Sequence, residues 1–198
     1  MQTFCWKERI LFMEIHVMCD LETLGKSIDC TVVQIAAAAF NLETGEILDT
    51  FNEAADISKS TLRVDGDTIK WWLKTDKDLL ADLLSRGNLS EEGMFIAFHD
   101  WLTRLGEDND VCLWGNGILF DNNIVRAHME MYGMKYPIKY NKDRDQRTIL
   151  SLASMKMGCD NQALRDQFRL PDCHAHDAFD DVRNQINLVH NCYKILMA

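Results

Sequence analysis

Residues 31–40, which read TVVQIAAAAF, restrict the fold of this chain more than any other segment. An apolar run of this length is too short to cross a membrane and is typical of a strand buried on both faces of a sheet. Its four consecutive alanines predict that another element packs closely against the strand. Apolar runs at residues 14–20 and 110–115 predict two more strands, and residues 47–51 predict a fourth after the turn signal at 41–46.

Helical periodicity is the main signal in the rest of the chain. Apolar side chains recur with this period over six segments. These are residues 67–84, 90–105, 121–132, 145–157, 161–168 and 177–196. Residues that favour helix starts or ends flank several of them. The predicted starts are Asp65 or Asp67, Ser90, Asp145 and Asp177, and the predicted ends are Gly133 and Gly158.

Strands come early and helices alternate later, without an internal repeat, a low-complexity tract or a linker. This order predicts a single α/β domain with a mixed sheet. A chain of 198 residues is long enough to bury a sizeable core. We expect the domain to cover residues 13–198, and residues 1–12 to be an N-terminal extension or an edge strand.

The chain is acidic, with a formal net charge of −10 from 21 Lys and Arg against 31 Asp and Glu. This balance argues against a protein that coats nucleic acid or an anionic membrane through bulk charge. It still allows a local site where carboxylates hold cations.

Seven cysteines, odd in number and without a C-x-x-C pair, indicate reduced thiols and a cytoplasmic protein. Neither a signal peptide nor a membrane span is predicted.

Asp20 and Glu22 stand two residues apart at the end of the first predicted strand. Side chains with this spacing point to the same face of a strand. Two carboxylates on one face repel each other unless a cation lies between them, and Mg²⁺ or Mn²⁺ takes oxygen ligands. A solvated strand end is the alternative, and on spacing alone it is the more common one.

The segment from Trp114 to Asp121 reads WGNGILFD and follows the 110–115 strand. Its glycines allow the backbone to approach a ligand closely. Asn116 and Asp121 would then face that ligand. The alternative is that Asp121 only caps the next helix, where aspartate is favoured.

The segment HAHDAFDD at residues 174–181 places three aspartates at the start of the last helix. At roughly 100° per residue, Asp181 lies on the edge of the apolar face, whereas Asp180 lies toward solvent. Asp177 is better placed to cap the helix. We therefore expect Asp181 to point inward and His176 to lie in the preceding loop, close enough to lean over a site.

These three segments together resemble the motifs of the DEDDh 3′–5′ exonucleases, a DnaQ-like superfamily with a ribonuclease H-like fold. The motifs are Asp20-x-Glu22, Asn116-x-x-x-Phe120-Asp121 and His176-x-x-x-x-Asp181. Each motif is weak alone, but the ordered set is specific, and the resemblance covers nearly the whole chain. Four segments are also similar to a narrower group, the phage and prophage exonuclease VIII-like proteins and the ribonuclease AS group. They are Asp20–Gly25, Asp67–Leu73, Trp114–Gly117 and Asp143–Thr148.

The resemblance implies a ribonuclease H-like domain with a five-stranded mixed sheet flanked by helices. It implies that Asp20, Glu22, Asp121 and Asp181 bind two Mg²⁺ or Mn²⁺ ions, which stabilise the attacking and leaving oxygens of an in-line displacement. His176 would be the general base that activates the attacking water. The products would be nucleoside 5′-monophosphates from 3′ ends of single-stranded DNA or RNA. Relatives are often homodimers, so a homodimer is possible.

Several residues near these motifs are candidate substrate contacts. In the resembling family the segment of Thr23 and Leu24 lies against the terminal base and sugar, although both could simply pack at a strand end. Asn116 and Phe120 belong to the second motif. Of the adjacent Trp71 and Trp72, one should be a core residue and the other could stack on a base.

Arg144 and Arg147 could each hold a substrate phosphate or pair with a surface acid, whereas Asp145 is better explained as a structural residue. Zinc binding by Cys159, Cys173, His174 and His176 is a weak alternative because the spacing fits no common finger. Two other functions remain open: a non-catalytic nucleic-acid-binding module and a ribonuclease H-like endonuclease. The complete set of acids and histidine favours the exonuclease over both.

Overall fold

A computed structural model describes residues 13–198, so the expectation for residues 1–12 lies outside the described part of the chain. Six strands form one sheet in the order β4-β3-β2-β1-β5-β6. Their bounds are β1 Met13–Thr23, β2 Val32–Phe40, β3 Ile47–Asp56, β4 Leu89–Ser90, β5 Asn109–Gly115 and β6 Asp143–Asp145. The sheet is mixed, because β1 is antiparallel to β2 but parallel to β5.

Seven helices cover the two faces of the sheet. They are α1 Gly66–Thr75, α2 Lys77–Arg86, α3 Glu91–Leu105, α4 Asp121–Met131, α5 Gln146–Met157, α6 Asn161–Gln167 and α7 Ala178–Met197. The predicted α/β domain with a mixed sheet flanked by helices is therefore confirmed, with six strands rather than five. The two shortest strands, β4 and β6, have two and three residues, which is too few for a periodic signal in the sequence.

The alanine-rich strand β2 lies inside the sheet, and every one of its residues is buried. Ala37 and Ala39 pack with apolar side chains of α3 and α4 on one face. Ala36 and Ala38 pack with α7 on the other face. The prediction of close packing against this strand is thus confirmed on both faces, and α7 brings its N-terminus to the end of β1.

The helix predicted at residues 67–84 is two helices, α1 and α2. Asp76 interrupts them because its backbone leaves the helical region, with φ −156° and ψ 82°. Its side chain accepts a hydrogen bond of 2.8 Å from the Leu79 N–H, so Asp76 caps the second helix. The continuous apolar period across this break concealed it in the sequence.

Most of the predicted helix boundaries are confirmed. Ser90, Asp145 and Asp177 each accept hydrogen bonds from backbone N–H groups at the start of the following helix. Gly158 ends α5 with φ 66°. Asp65 precedes α1 without capping it, because its carboxylate instead accepts hydrogen bonds from Lys26 and Arg63.

The six cysteines within residues 13–198 are all unpaired. In the same part of the chain, no helix has the length and apolar character needed to span a bilayer. The cytoplasmic location stays a prediction.

Candidate active site

Three carboxylates converge where β1 ends and α7 begins. Asp20, Glu22 and Asp181 each offer an oxygen atom, and these atoms all lie within 4.8 Å of one another. Asp20 and Glu22 share one face of β1, as their spacing predicts, and the first turn of α7 supplies Asp181 across from them. Glu22 is only 8% exposed, so the cluster is set into the protein rather than displayed on its surface.

The electrostatics of the cluster oppose ionisation. Burial raises the pKa of Asp20 well above its ordinary value, and the charges of Asp121 and Asp181 raise it further. Burial and the neighbouring Asp20 raise the pKa of Glu22 to about 10. Burial is also the main cause of the raised pKa of Asp181. Oxygen ligands this close, with too little positive charge around them, are the donor set that a hard divalent cation fits.

Asp121 stands at the edge of this cluster. It is the first residue of α4, and Phe120 occupies the N-cap position, so the interpretation of Asp121 as a cap is wrong. Burial raises the pKa of Asp121 to about 7, while the charge of Arg147 opposes the shift. Asp121 is not among the three acids whose oxygens lie within 4.8 Å of one another, although its charge acts on Asp20.

Gly115 ends β5 directly beside Asp121. A Cβ atom at Gly115 would lie 3.3 Å from Oδ2 of Asp121 and 2.5 Å from Oδ1 of Asn122. A larger residue at position 115 would have to displace the Asn122 amide, whose Nδ2 donates to the Leu113 carbonyl and to Asp143, so glycine suits this approach. The glycine signal in the sequence therefore reflects a side chain pressed against the backbone.

The loop after Gly115 contains the predicted contacts Asn116 and Phe120. Oδ1 of Asn116 is buried and has no hydrogen-bond partner among the described residues, and the half-buried Phe120 packs against the main core. A Cβ at Gly117 would lie 3.3 Å from the guanidinium carbon of Arg147, so this arginine covers the loop.

Asp145 fixes this loop to α5. Its Oδ2 accepts a hydrogen bond from the Ile118 N–H, and its Oδ1 accepts from the backbone N–H groups of Arg147 and Thr148. These bonds agree with the structural role expected for Asp145. Arg144 donates to the backbone carbonyls of Asn141 and Asp143, so its guanidinium is occupied by its own loop.

His176 lies in the loop before α7, as expected. Its backbone has φ 70°, which is unusual for a residue with a side chain. Its N–H donates to Oδ2 of Asp181 at 3.2 Å. Its ring meets Trp71 edge-on, with 5.0 Å between ring centroids. The backbone hydrogen bond places His176 next to Asp181 of the cluster, and Trp71 packs against its ring.

The three aspartates at the start of α7 separate as the helical geometry predicts. Asp177 caps the helix through Phe179 and Asp180. The Asp180 carboxylate turns away from the cluster, where it accepts from the His174 N–H and pairs with Arg183. Asp181 alone of the three joins Asp20 and Glu22.

Trp71 and Trp72 also separate into an exposed and a buried residue. Trp72 is 1% exposed, and its Nε1 donates to the Thr23 carbonyl at 3.0 Å. Trp71 is 43% exposed. Leu24 is buried in the same apolar group as Trp72, and the Thr23 hydroxyl donates to the Gly25 carbonyl. Substrate contacts by these residues stay predictions, and Trp71 has the most exposed side chain.

Sequence reasoning missed Gln185 as a residue of the site. Its Nε2 donates a hydrogen bond of 2.7 Å to Oδ1 of Asp20. The available signal was a polar side chain on the apolar face of the last helix, among Val182, Ile186 and Val189.

Within residues 13–198, Cys159 and the other zinc candidates do not form a ligand cluster, so zinc is not supported.

Several solved nucleases share the fold of this chain. Cell-death related nuclease 4 (CRN-4) matches 92% of this chain and 64% of its own, at 16% identity and a TM-score of 0.68. The nuclease domain of 3′hExo, a DEDDh family member solved with rAMP, matches 93% of this chain and 94% of its own, at 15% identity and a TM-score of 0.61. These likenesses show the fold of the DEDDh exonucleases.

The zinc-bound E. coli ExoI–ssDNA complex is also similar, at 17% identity and a TM-score of 0.64 over 88% of this chain. The match covers 39% of that protein, so the present chain spans well under half of exonuclease I. No curated protein sequence matches the chain.

The family model of the 3′–5′ exoribonuclease Rv2179c-like domain matches residues 15–193. The chain therefore belongs to this family of 3′–5′ exoribonuclease domains, and it has the fold of the DEDDh exonucleases. It stays a prediction that the chain is most similar to the phage and prophage exonuclease VIII-like proteins and the ribonuclease AS group.

Proposed function

We propose that this protein is a metal-dependent exonuclease that removes nucleoside 5′-monophosphates from the 3′ ends of single-stranded RNA. The observation that carries the proposal is the convergence of Asp20, Glu22 and Asp181 within 4.8 Å. RNA is favoured over DNA because the family is described as an exoribonuclease domain. A single strand fits an inset site better than a duplex, which could not bring its terminal phosphodiester to the cluster without opening.

Asp20, Glu22 and Asp181 would hold the divalent ions together with Asp121. Carboxylate oxygens suit Mg²⁺ or Mn²⁺, and the raised pKa values of these acids reflect burial and mutual repulsion that a cation relieves. Two bound ions would supply charge stabilisation to the attacking and leaving oxygens of an in-line displacement.

His176 is proposed as the general base. It accepts a proton from the attacking water, and histidine suits this step because its ordinary pKa of about 6.5 lies near neutral pH. The support is positional: its backbone donates to Asp181, and Trp71 packs against its ring. These contacts limit how far the imidazole moves from the cluster.

Trp71 and Arg147 are the proposed substrate contacts with the most accessible groups. The exposed face of Trp71 would stack on the terminal base, and the Arg147 guanidinium, above the Gly117 loop, would hold a phosphate of the strand. Thr23, Leu24, Asn116 and Phe120 would shape the wall behind them. The possible homodimer stays a prediction and is not part of the proposal.

Matched oligonucleotides test the proposed substrate. Single-stranded RNA and DNA of the same sequence, each 5′-labelled, are incubated with Mn²⁺ and the initial rates of 3′ shortening are compared. We expect shortening one nucleotide at a time and an RNA preference greater than tenfold. Equal initial rates on RNA and DNA would contradict the RNA assignment. Internal cuts would favour the endonuclease, and binding without cleavage would favour the non-catalytic module.

A further inference from the structure

A cavity of about 150 Å³ shares a wall with the acidic cluster. It lies between α5, α6 and α7, and both Asp181 and Gln185 line it. Asp181 is a proposed metal ligand and Gln185 donates to another, Asp20, so the cavity directly adjoins the proposed metal site. A volume of this size greatly exceeds the roughly 10–15 Å³ that a single water needs.

Polar groups without partners surround this cavity. Gln146 lines the cavity and is fully buried, and neither its Oε1 nor its Nε2 has a hydrogen-bond partner within residues 13–198. Oε1 of Gln185, which is also buried, has none either. Buried polar atoms are nearly always paired in folded proteins, and each unpaired one carries a desolvation cost. Three such atoms around one cavity are therefore available to bind a polar ligand that enters it.

Two arginines and an aromatic ring complete the wall. Arg165 and Arg169 come from α6 and the residues after it, together with Phe168. In the described part of the chain, neither arginine forms an ion pair, whereas five other arginines do. Burial lowers the pKa of Arg165, so its charge is partly removed from water without a compensating acid.

We propose that this cavity binds a nucleobase of the substrate strand, at one of the two nucleotides that flank the phosphodiester being cut. The inference rests on the proposed function. A base offers both donors and acceptors along its edge and an apolar face for Phe168. The amide oxygens of Gln146 and Gln185 accept from the base, and the guanidinium of Arg165 donates to it.

A phosphate fits the same cavity less well. It has only acceptor oxygens, so the two glutamine oxygens would stay unpaired, and its negative charge would lie against Asp181. Guanine provides the best match, because it presents two acceptors on one edge that pair with arginine, together with an amino group that donates. The cavity thus gives the exonuclease a base preference that the metal cluster alone does not supply.

Single-stranded oligonucleotides that differ only in the last two bases test the proposal. Their dissociation constants are measured with Ca²⁺ and a non-cleavable terminal linkage, and their kcat/KM values with Mn²⁺. We expect guanine at one of the two positions to be favoured by about tenfold or more, the scale of one good side-chain–base pair. The Gln146→Leu and Arg165→Met variants should reduce this preference to within about twofold.

Gln162→Leu and Arg104→Met are the matched controls, because both side chains lie outside the cavity and pair with surface acids. Both controls should keep the wild-type preference, and Mn²⁺ binding and thermal unfolding establish that each variant is folded. A wild type that cleaves all bases equally, or variants that keep the full preference, would overturn the base pocket and leave the proposed exonuclease intact. A wild type that shortens no oligonucleotide would instead overturn the proposed function.

A phosphate in the cavity would give a different result. The kcat/KM of each variant would then fall by the same factor whichever base is present. With an uncharged methylphosphonate at the neighbouring linkage, variant and wild type would have the same kcat/KM. That outcome would overturn the base assignment.

Discussion

Nε2 of Gln185 donates a hydrogen bond of 2.7 Å to Oδ1 of Asp20, and this bond joins the last helix to the end of the first strand. Gln185 also stands one helical turn from Asp181 on α7. A single helix therefore supplies one carboxylate of the cluster and orients another. Residues that orient metal ligands in this way commonly affect metal affinity although they never touch the ion.

Replacement of Gln185 by leucine should weaken metal binding. The substitution keeps the approximate size of the side chain but removes the donor, so Asp20 loses its fixed orientation. We expect Mn²⁺ affinity, measured by titration calorimetry, to fall by about tenfold or more. Gln162→Leu on α6 is the control and should leave the affinity unchanged. Wild-type affinity in Gln185→Leu would show that Asp20 is held by its backbone alone.

Replacement of His176 by alanine should separate chemistry from metal binding. The imidazole lies outside the three-carboxylate cluster, so the variant should fold and bind Mn²⁺ normally. Its turnover should fall by about 10²-fold or more, since a positioned general base contributes at least that factor. His99→Ala is the control, because His99 contacts Lys135 away from the site. Turnover near that of the wild type would disprove the assignment of His176.

The two adjacent tryptophans should respond oppositely to alanine substitution. Trp72→Ala creates a cavity and removes the donor to Thr23, so we expect a stability loss of about 3–5 kcal/mol. Trp71→Ala should change stability little but raise KM by about tenfold, as expected when a base loses a stacking partner. Thermal unfolding and steady-state kinetics measure the two effects. A large stability loss in Trp71→Ala with an unchanged KM would contradict its role in binding.

Removal of metal should make stability depend on pH. The folded-state pKa values of Glu22 and Asp121 are raised to about 10 and about 7, so the folded protein binds more protons than the unfolded chain above the ordinary carboxyl pKa. Stability therefore falls as pH rises through this range. We expect the Tm of EDTA-treated protein to be lower at pH 8.5 than at pH 5.5 by at least about 3 °C.

Mn²⁺ should restore most of that loss, because it offsets the repulsion between the ionised acids. Glu22→Gln provides the control: it removes one of the buried charges, so its Tm should depend less on pH. A metal-free Tm that rises over the same interval would mean that these carboxylates are not protonated in the folded state.

The sequence predicted the parts of this molecule that depend on local pattern. Apolar runs, helical period and capping residues identified the long strands and most helix ends, and the helical angle correctly separated Asp181 from Asp180. The break at Asp76 was missed because the apolar period continues through it, and β6 was missed because three residues carry no period. The roles of the site residues remain predictions.

Contacts between distant segments could not be predicted in the same way. Gln185 and Asp20 are 165 residues apart, and nothing in either segment specifies the other. Gln146 and Arg165 likewise become notable only because the packing of α5, α6 and α7 leaves a cavity beside them. Such residues are visible in the sequence only as polar side chains on apolar helix faces.

The most direct test of the account uses Asp181→Asn beside Asp180→Asn, since the two neighbours differ in whether they join the cluster. Release of nucleoside 5′-monophosphate from a 3′-labelled single-stranded oligonucleotide is followed as Mn²⁺ is titrated. The account predicts that wild type and Asp180→Asn require Mn²⁺ for release, and that Asp181→Asn loses most of the activity at every Mn²⁺ concentration. Release that persists in EDTA, or greater damage from Asp180→Asn than from Asp181→Asn, would contradict it.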